Sequence, residues 1–302
     1  MQHFINFNTM KYGTKTLALL LFIVLGSTRL ALPQSPPELT HWSDKSKFTF
    51  AFFTDIHLNK GENDCFKGFE KAIRSALDHE ADFILTGGDN VDIDVLGKDA
   101  ETAHWLYSEY AERIANSGIK FYSSIGNHDR FYGCLKSDPL FERGLFESYL
   151  HKSYYSFDHK AWHIIVLNTS NSIVDEDQKQ WLAADLKQVD SETPIIISTH
   201  VPFLSVYYPT LEGRYTDTDT FKNFKEIWDI FDGKNLKLVL QGHMHLYEEI
   251  KVKGVQFITA GAVSASWWGG AYYGTEEGYL LIDIDGDDFD WEYVDYGWEV
   301  PE

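Results

Sequence analysis

The chain has little cysteine: Cys65 and Cys134 are the two thiols in 302 residues. That excludes a small fold stapled by several disulfides and a cysteine-ligated zinc knuckle. It has no cluster of lysine or arginine either; 26 basic residues stand against 46 acidic ones, a formal charge of −20. A surface of that sign repels polynucleotides and anionic membranes, so no nucleic-acid polymer is expected as a partner. No internal repeat is found, which excludes solenoids and propellers.

The apolar stretch near the N-terminus, "LALLLFIVLG" at Leu17–Gly26, is about half the roughly twenty residues that a membrane-spanning helix needs. Lys11 and Lys15 precede it, and small and polar residues follow. That is the pattern of a secretory signal peptide, with cleavage near Ala31. A single N-terminal anchor is the alternative. The expected organisation is a signal peptide over 1–32, a linker with "PQSPPE" over 33–46, and one domain over 47–302. The mature protein is then secreted or periplasmic, with no stable membrane span. In such a chain the two cysteines leave two readings open, a Cys65–Cys134 disulfide or two free thiols.

With 44% hydrophobic and 24% charged residues, the chain can bury a sizeable core. From Lys47 onward strand and helix patterns alternate. "KFTFAFFTD" (Lys47–Asp55), "DFILT" (Asp82–Thr86) and "IKFYSSIG" (Ile119–Gly126) read as buried strands. Between them, Cys65–Glu80 places Phe66, Phe69, Ile73 and Leu77 at helical spacing, and Ala100–Gly118 reads as a helix stopped by Gly118. The order strand–helix–strand–helix–strand implies a mostly parallel sheet. The second half predicts a hairpin over Ser153–Thr169, helices over Glu176–Val189 and Phe221–Phe231, and strands at Thr193–His200 and Leu236–His243. Strand-like segments then turn at Gly254 and Gly286. The expected fold class is α/β, one domain with two sheets flanked by helices.

Polar residues gather where these strands end. The first ends "TDIH", with Asp55 and His57; the second "GGDN", with Asp89 and Asn90; the third "GNHD", with Asn127, His128 and Asp129. Later strands end "STH", with His200, and "GHMH", with His243 and His245. Ligands of open α/β sheets bind at the carboxyl ends of the strands. Any one of these motifs alone reads as an ordinary turn or a structural histidine. Five in a row point to metal. Oxygen and imidazole donors without thiolate suit divalent Mn, Fe or Zn, and Asp55, His57, Asp89, Asn127, His200, His243 and His245 are too many for one ion. If Asp89 bridges, each of two ions gains four protein ligands. Two ions roughly 3.5–4 Å apart can clamp both oxygens of an in-line displacement at phosphorus.

The ordered set "DIH", "GGDN", "GNHD", "STH", "GHMH" resembles the calcineurin-like metallophosphoesterase superfamily over Asp55 to His245. The resemblance implies a four-layer α-β-β-α sandwich with two central mixed β-sheets. It implies one metal on Asp55, His57, Asp89 and His245, and a second on Asp89, Asn127, His200 and His243. His128 is then a residue beside the metals that helps the leaving group depart. Asp92 lies three residues after Asp89, a spacing at which some members orient that histidine, so Asp92 is expected to hold His128. A solvent-facing turn is its alternative. Asp92 also stands where purple acid phosphatases carry an iron-binding tyrosine, so their coloured site is not expected. The D-x-H first motif is similar to the branch of cyclic-nucleotide and glycerophosphodiester phosphodiesterases. A phosphodiesterase acting on a small phosphate ester is the leading expectation. A phosphomonoesterase and an inactive binding scaffold are the alternatives.

Two segments are candidates for substrate choice. Val201–Thr220 carries Tyr207 and Arg214; Ala260–Gly278 carries Trp267 and Trp268. Aromatics on such loops stack on a base or wall a headgroup, or else plug the end of a sheet. Arg130 follows "GNHD" and is placed to meet a substrate phosphate or to pair with a carboxylate.

Overall fold

A computed structural model describes residues 47–61, 63–214 and 219–301. The expected signal peptide and linker lie outside the described residues. No helix among the described residues is long and apolar enough to cross a membrane.

The chain enters β1 (Lys47–Phe53), then α1 (Cys65–Asp78), β2 (Phe83–Thr86), α2 (Ala100–Asn116) and β3 (Lys120–Tyr122). A short α3 (Gly144–Tyr149) leads to the hairpin β4 (Tyr155–His159) and β5 (Trp162–Val166). Next come α4 (Glu176–Leu186), β6 (Ile195–Thr199), α5 (Tyr207–Glu212), α6 (Phe224–Ile230) and β7 (Leu236–Gln241). The hairpins β8 (Glu248–Val252) with β9 (Val255–Thr259), and β10 (Gly278–Asp285) with β11 (Asp288–Asp295), follow. Among the described residues the strands form two mixed sheets, ordered β11-β10-β1-β2-β3 and β4-β5-β6-β7-β9-β8. In the first, β1, β2 and β3 run parallel; in the second, β5, β6, β7 and β9 do.

The layers follow from side-chain alternation along each strand. Phe50 and Phe52 of β1 face the second sheet, meeting Trp162, Ile164, Leu238 and Leu240. Ala51 and Phe53, one residue out of phase, pack under α1 and α2 with Phe69, Ala72 and Leu106. Ile165 of β5 likewise faces Leu182 of α4 and Ile227 of α6. β1 is apolar throughout only where both faces are buried, from Phe50 to Phe53; before that, Lys47 and Thr49 alternate with Phe48 and Phe50. The result is the α-β-β-α sandwich.

Helix ends obey local chemistry. Asp99 accepts from Thr102 N–H at 3.0 Å to cap α2, and Asp175 accepts from Gln178 N–H at 2.8 Å to cap α4. Gly118, φ +80°, ends α2 in the left-handed conformation. The buried face of α1 is rotated from the expected stripe. Gly68, Ala72 and Ala76 point inward, while Leu77 is exposed. The cause is Trp268, whose ring lies over Gly68 so closely that a Cβ there would sit 2.1 Å from it. β3 stops earlier than expected because the backbone beyond it bonds to side chains instead of a strand. Ser124 N–H donates to Thr86 Oγ1, and Gly126 N–H donates to Asp129.

A candidate metal centre at the shared strand ends

The parallel strands of both sheets deliver the motif residues to one place. Asp55 and His57 follow β1, Asp89 follows β2, Asn127 and His128 follow β3, His200 follows β6, and His243 and His245 follow β7. Ser198 Oγ donates to Thr86 O at 3.1 Å, tying the two sheets together beneath the site. Asp55, His57, Asp89, His243 and His245 all have φ between 50° and 73°. Non-glycine residues seldom take that left-handed conformation, and surrounding structure must hold them there. The turn after each strand thereby aims a carboxylate or imidazole inward. Gly126 makes room: a Cβ there would lie 2.0 Å from Asp89 Oδ1.

Three groups of donors result among the described residues: Asp55 with His57 and His245, Asp89 with His200 and His243, and His57 with Asp92 and His128. Outer contacts settle which nitrogen of each ring carries hydrogen. His245 Nδ1 donates to Ala265 O at 2.5 Å, His200 Nδ1 to Gly87 O at 2.8 Å, and His57 Nδ1 to Asp92 Oδ1 at 2.5 Å. Each ring is thereby held at Nδ1 with Nε2 turned to the centre, the orientation of ligating histidines generally. His57 Nε2 and His245 Nε2 lie 3.0 Å apart. Asp55 Oδ1, 3.4 Å from His245 Nε2, is buried without a hydrogen-bond partner. Two ring nitrogens and an unpaired, buried carboxylate oxygen thus converge on one point, and a divalent ion there would engage all three. The donors therefore fit a divalent ion.

The second group fits as well. His200 Nε2 lies 3.1 Å from Asp89 Oδ2 and 2.9 Å from Asn127 Oδ1. Asp89 Oδ2 is also 3.8 Å from His57 Nε2, so this oxygen faces the first group too. Burial alone would lower the His200 pKa, but the Asp89 carboxylate overrides it and raises the pKa to about 9. Burial, together with the neighbouring His200, lowers His243 to about 4. Burial opposes the charge of Asp55 too, yet His245 and His57 hold its carboxyl well below the usual range. These shifts show the carboxylates drawing positive charge into the cluster.

The expected contact from Asp92 to His128 is corrected. Asp92 Oδ1 turns to His57 and stays 3.8 Å from His128 Nδ1. Asp94, two residues on, bonds His128 Nδ1 at 2.8 Å. The chain enters a 3-10 turn at Asp94–Leu96, which brings Asp94 under His128; that turn has no periodic signature in the sequence. Asp129 is a second residue that the motifs alone leave without a role. Buried, it accepts from the backbone N–H groups of Asn90, Val91 and Gly126, and from Asn90 Nδ2. It clamps the β2 loop to the β3 loop. Burial and the nearby Asp89 raise its pKa to about 7.

The loop residues divide. Trp268 is buried and donates Nε1–H to His57 O at 3.2 Å, a packing role. Trp267 is 42% exposed and stacks on His245 with ring centroids 4.2 Å apart. Tyr272 meets Trp267 edge-on at 5.8 Å, and Tyr208 Oη lies 3.3 Å from Tyr272 Oη. Tyr207 opens α5, a helix in a segment expected to be loop. Arg214 pairs with Glu212 and covers the Tyr208 ring. Arg130 is buried, bonded to Glu142, Ser170 and Tyr132. Its carboxylate partner leaves no reason to assign it a phosphate. Of the two readings left open for the thiols, the second holds: Cys65 and Cys134 are free. Cys65 is buried at the start of α1 and donates Sγ–H to Asn59 O at 3.4 Å.

A two-sheet sandwich with oxygen and imidazole donors at its common strand ends is the architecture of a metal-dependent hydrolase. The family model described as calcineurin-like phosphoesterase matches residues 48–247, and the chain belongs to that family. It is 29% identical over 203 residues to a probable cyclic nucleotide phosphodiesterase of Psychrobacter sp., covering 63% of this chain and 55% of that protein. It is 28% identical to purple acid phosphatase 22 of Arabidopsis thaliana, over 42% of this chain and 30% of that protein. The chain thus spans about half or less of the length of these two relatives. Among solved structures, the fold is similar to that of a purple acid phosphatase from yellow lupin seeds, with a TM-score of 0.60 and 15% identity, covering 84% of this chain and 52% of that one. It is also similar to a dimetal phosphatase from Danio rerio, with a TM-score of 0.55 and 14% identity, covering 83% and 99%.

Proposed function

We propose that the chain is an exported, two-metal phosphodiesterase that hydrolyses small phosphate diesters. One observation carries the metal-dependent reading: Asp55, His57 and His245 converge on one point and Asp89, His200 and His243 on another, with Asp55 Oδ1 buried and unpartnered beside the ring nitrogens. When bound, two divalent ions such as Mn, Fe or Zn supply Lewis-acid stabilisation of the phosphate and acidify water. The protein's own contributions are positional. Asp89 Oδ1 accepts His128 N–H at 2.8 Å, so the carboxylate facing both groups also sets where His128 stands. The His128 side chain is 27% exposed, open to a substrate oxygen yet fixed at its other nitrogen. Trp267 shields His57 and His245 from one side and excludes water there.

Two facts support a diester over a monoester. A monoester carries close to two negative charges at neutral pH and a diester one, and a chain of charge −20 repels the former more. The relatives named cyclic nucleotide phosphodiesterase align over 63% and 67% of this chain, against 42% and 50% for those named purple acid phosphatase. Export rests on the basic and apolar pattern of Lys11 to Gly26. The test is reconstitution with Mn²⁺, Zn²⁺ or Fe²⁺ followed by bis-p-nitrophenyl phosphate, p-nitrophenyl phosphate, cyclic nucleotides and glycerophosphodiesters. Diester turnover exceeding monoester turnover is expected. The reverse ranking makes the protein a phosphomonoesterase, and no turnover with any metal makes it a binding scaffold.

A further inference from the structure

We propose that two acids on one loop divide the work: Asp94 is the positioning residue for His128, while Asp92 serves the metal ligand His57. This rests on the phosphoester hydrolase reading above. The side chains make the separation plain. Asp92 Oδ1 lies 2.5 Å from His57 Nδ1 and 3.8 Å from His128 Nδ1, and only the first is a hydrogen bond. Asp94 Oδ1 lies 2.8 Å from His128 Nδ1.

The backbone enforces the same partition. Asp92 N–H donates to Leu58 O at 2.9 Å, and Leu58 N–H donates to Asn90 O at 3.0 Å, so Asp92 is stitched to the loop that carries His57. Ile93 and Asp94 both donate N–H to His128 O, at 3.0 and 3.2 Å. His128 is thus held at its carbonyl and its Nδ1 by the same short segment. Buried Ile93 anchors the crossing point between the two loops.

The chemistry gives the two positions different consequences. In hydrolysis the water oxygen bonds to phosphorus and the ester P–O bond breaks, its electron pair staying on the leaving oxygen. A proton passes from His128 Nε2 to that oxygen, and the proton released by the water goes to solvent, from which His128 is recharged. Asp94, bonded at Nδ1, orients the ring and supports its positive charge while Nε2 faces the leaving group. Its value grows as the leaving group becomes more basic, because a poorer leaving group needs the proton more. Asp92 instead orients the His57 ring and raises its basicity toward an ion, so its loss falls on metal affinity.

Three measurements test this on the metal-reconstituted chain: hydrolysis of a phosphodiester series from p-nitrophenyl to alkyl leaving groups, metal affinity by competition with a chelator, and the ¹⁵N resonances of the histidine rings. Asp94→Asn is expected to lower kcat by about 10²-fold for alkyl leaving groups but only a few-fold for p-nitrophenol, with KM and metal affinity unchanged. Asp92→Asn is expected to weaken metal binding by about 10–100-fold and, at saturating metal, to act equally on every leaving group. In the His128→Ala background Asp94→Asn adds nothing. In the spectra, Asp94→Asn moves the His128 ring nitrogens and leaves those of His57, and Asp92→Asn does the opposite. Leaving-group dependence that follows Asp92, or an Asp94→Asn loss uniform across the series, overturns the proposal. If the wild type hydrolyses no member of the series, the phosphodiesterase reading falls by itself. The ring resonances then decide: His128 unmoved by Asp94→Asn sinks the positioning role.

Discussion

Asp55 shows what a candidate metal ligand does to a fold before any chemistry occurs. It is fully buried, held at φ 52°, and one of its oxygens lacks a partner. The other accepts from Thr54 Oγ1 at 2.6 Å and from His243 N–H at 2.9 Å. Half of the carboxylate is thus satisfied by protein and half is reserved. Replacing it with Asn removes the reserved charge while keeping the bonded oxygen. Asp55→Asn is expected to lose at least 10²-fold in diester hydrolysis and most of the stabilisation gained on adding Mn²⁺, yet to melt no lower than wild type in chelator. Thermal scans with and without metal check both halves; a lower Tm in chelator would mean that Asp55 is a structural acid. The residue scale is also where the motifs were most legible, because strand-end Asp, Asn and His occur at fixed places relative to apolar runs. They could not show that Asp94 takes the place of Asp92, since a short turn changes direction without changing composition.

At the scale of elements, His163 on β5 joins three of them. Its Nδ1 lies 2.7 Å from Asp158 of β4, and its Nε2 lies 2.9 Å from Asp185 of α4. Ser156 Oγ donates to Asp185 at 2.7 Å from the same hairpin. Burial opposes charge on His163, but the two carboxylates prevail and raise its pKa to about 9. A raised histidine pKa stabilises the fold in full below the unfolded value of about 6.5, and the contribution is lost as pH rises through the folded value. Asp158 is half-exposed, so solvent screens part of the effect, leaving about 1–2 kcal/mol. Denaturant melts of wild type should weaken between pH 6.5 and 9, whereas His163→Asn should show a shallower slope over that window. Equal slopes in wild type and variant count against the clamp. Sequence patterning located β5 and α4 but not this contact, which joins residues 22 apart across two layers.

At the scale of the whole molecule, the two sheets meet along Phe50, Phe52, Trp162 and Leu240, and the candidate metal centre caps one end of that interface. Ions there would link β1 and β2 of one sheet to β6 and β7 of the other, a cross-brace absent from the unfolded chain. Chelation is therefore expected to lower Tm by several degrees, with Mn²⁺ in excess restoring about 3–4 kcal/mol at 100–1,000 times its Kd. A Tm indifferent to chelator and metal in calorimetry would contradict a centre that bridges the sheets. By itself the sequence determined an α/β domain of two sheets flanked by helices and the Asp, Asn and His residues at its strand ends, because buried strands must be apolar and polar residues must interrupt them, and both marks are local; the layered sandwich was implied by the family resemblance. The tertiary structure alone decided which acid serves which histidine, which tryptophan packs and which stays open, and that the two thiols remain apart. Those outcomes depend on directions and distances between segments far apart in the chain, and no local pattern of residue types encodes them.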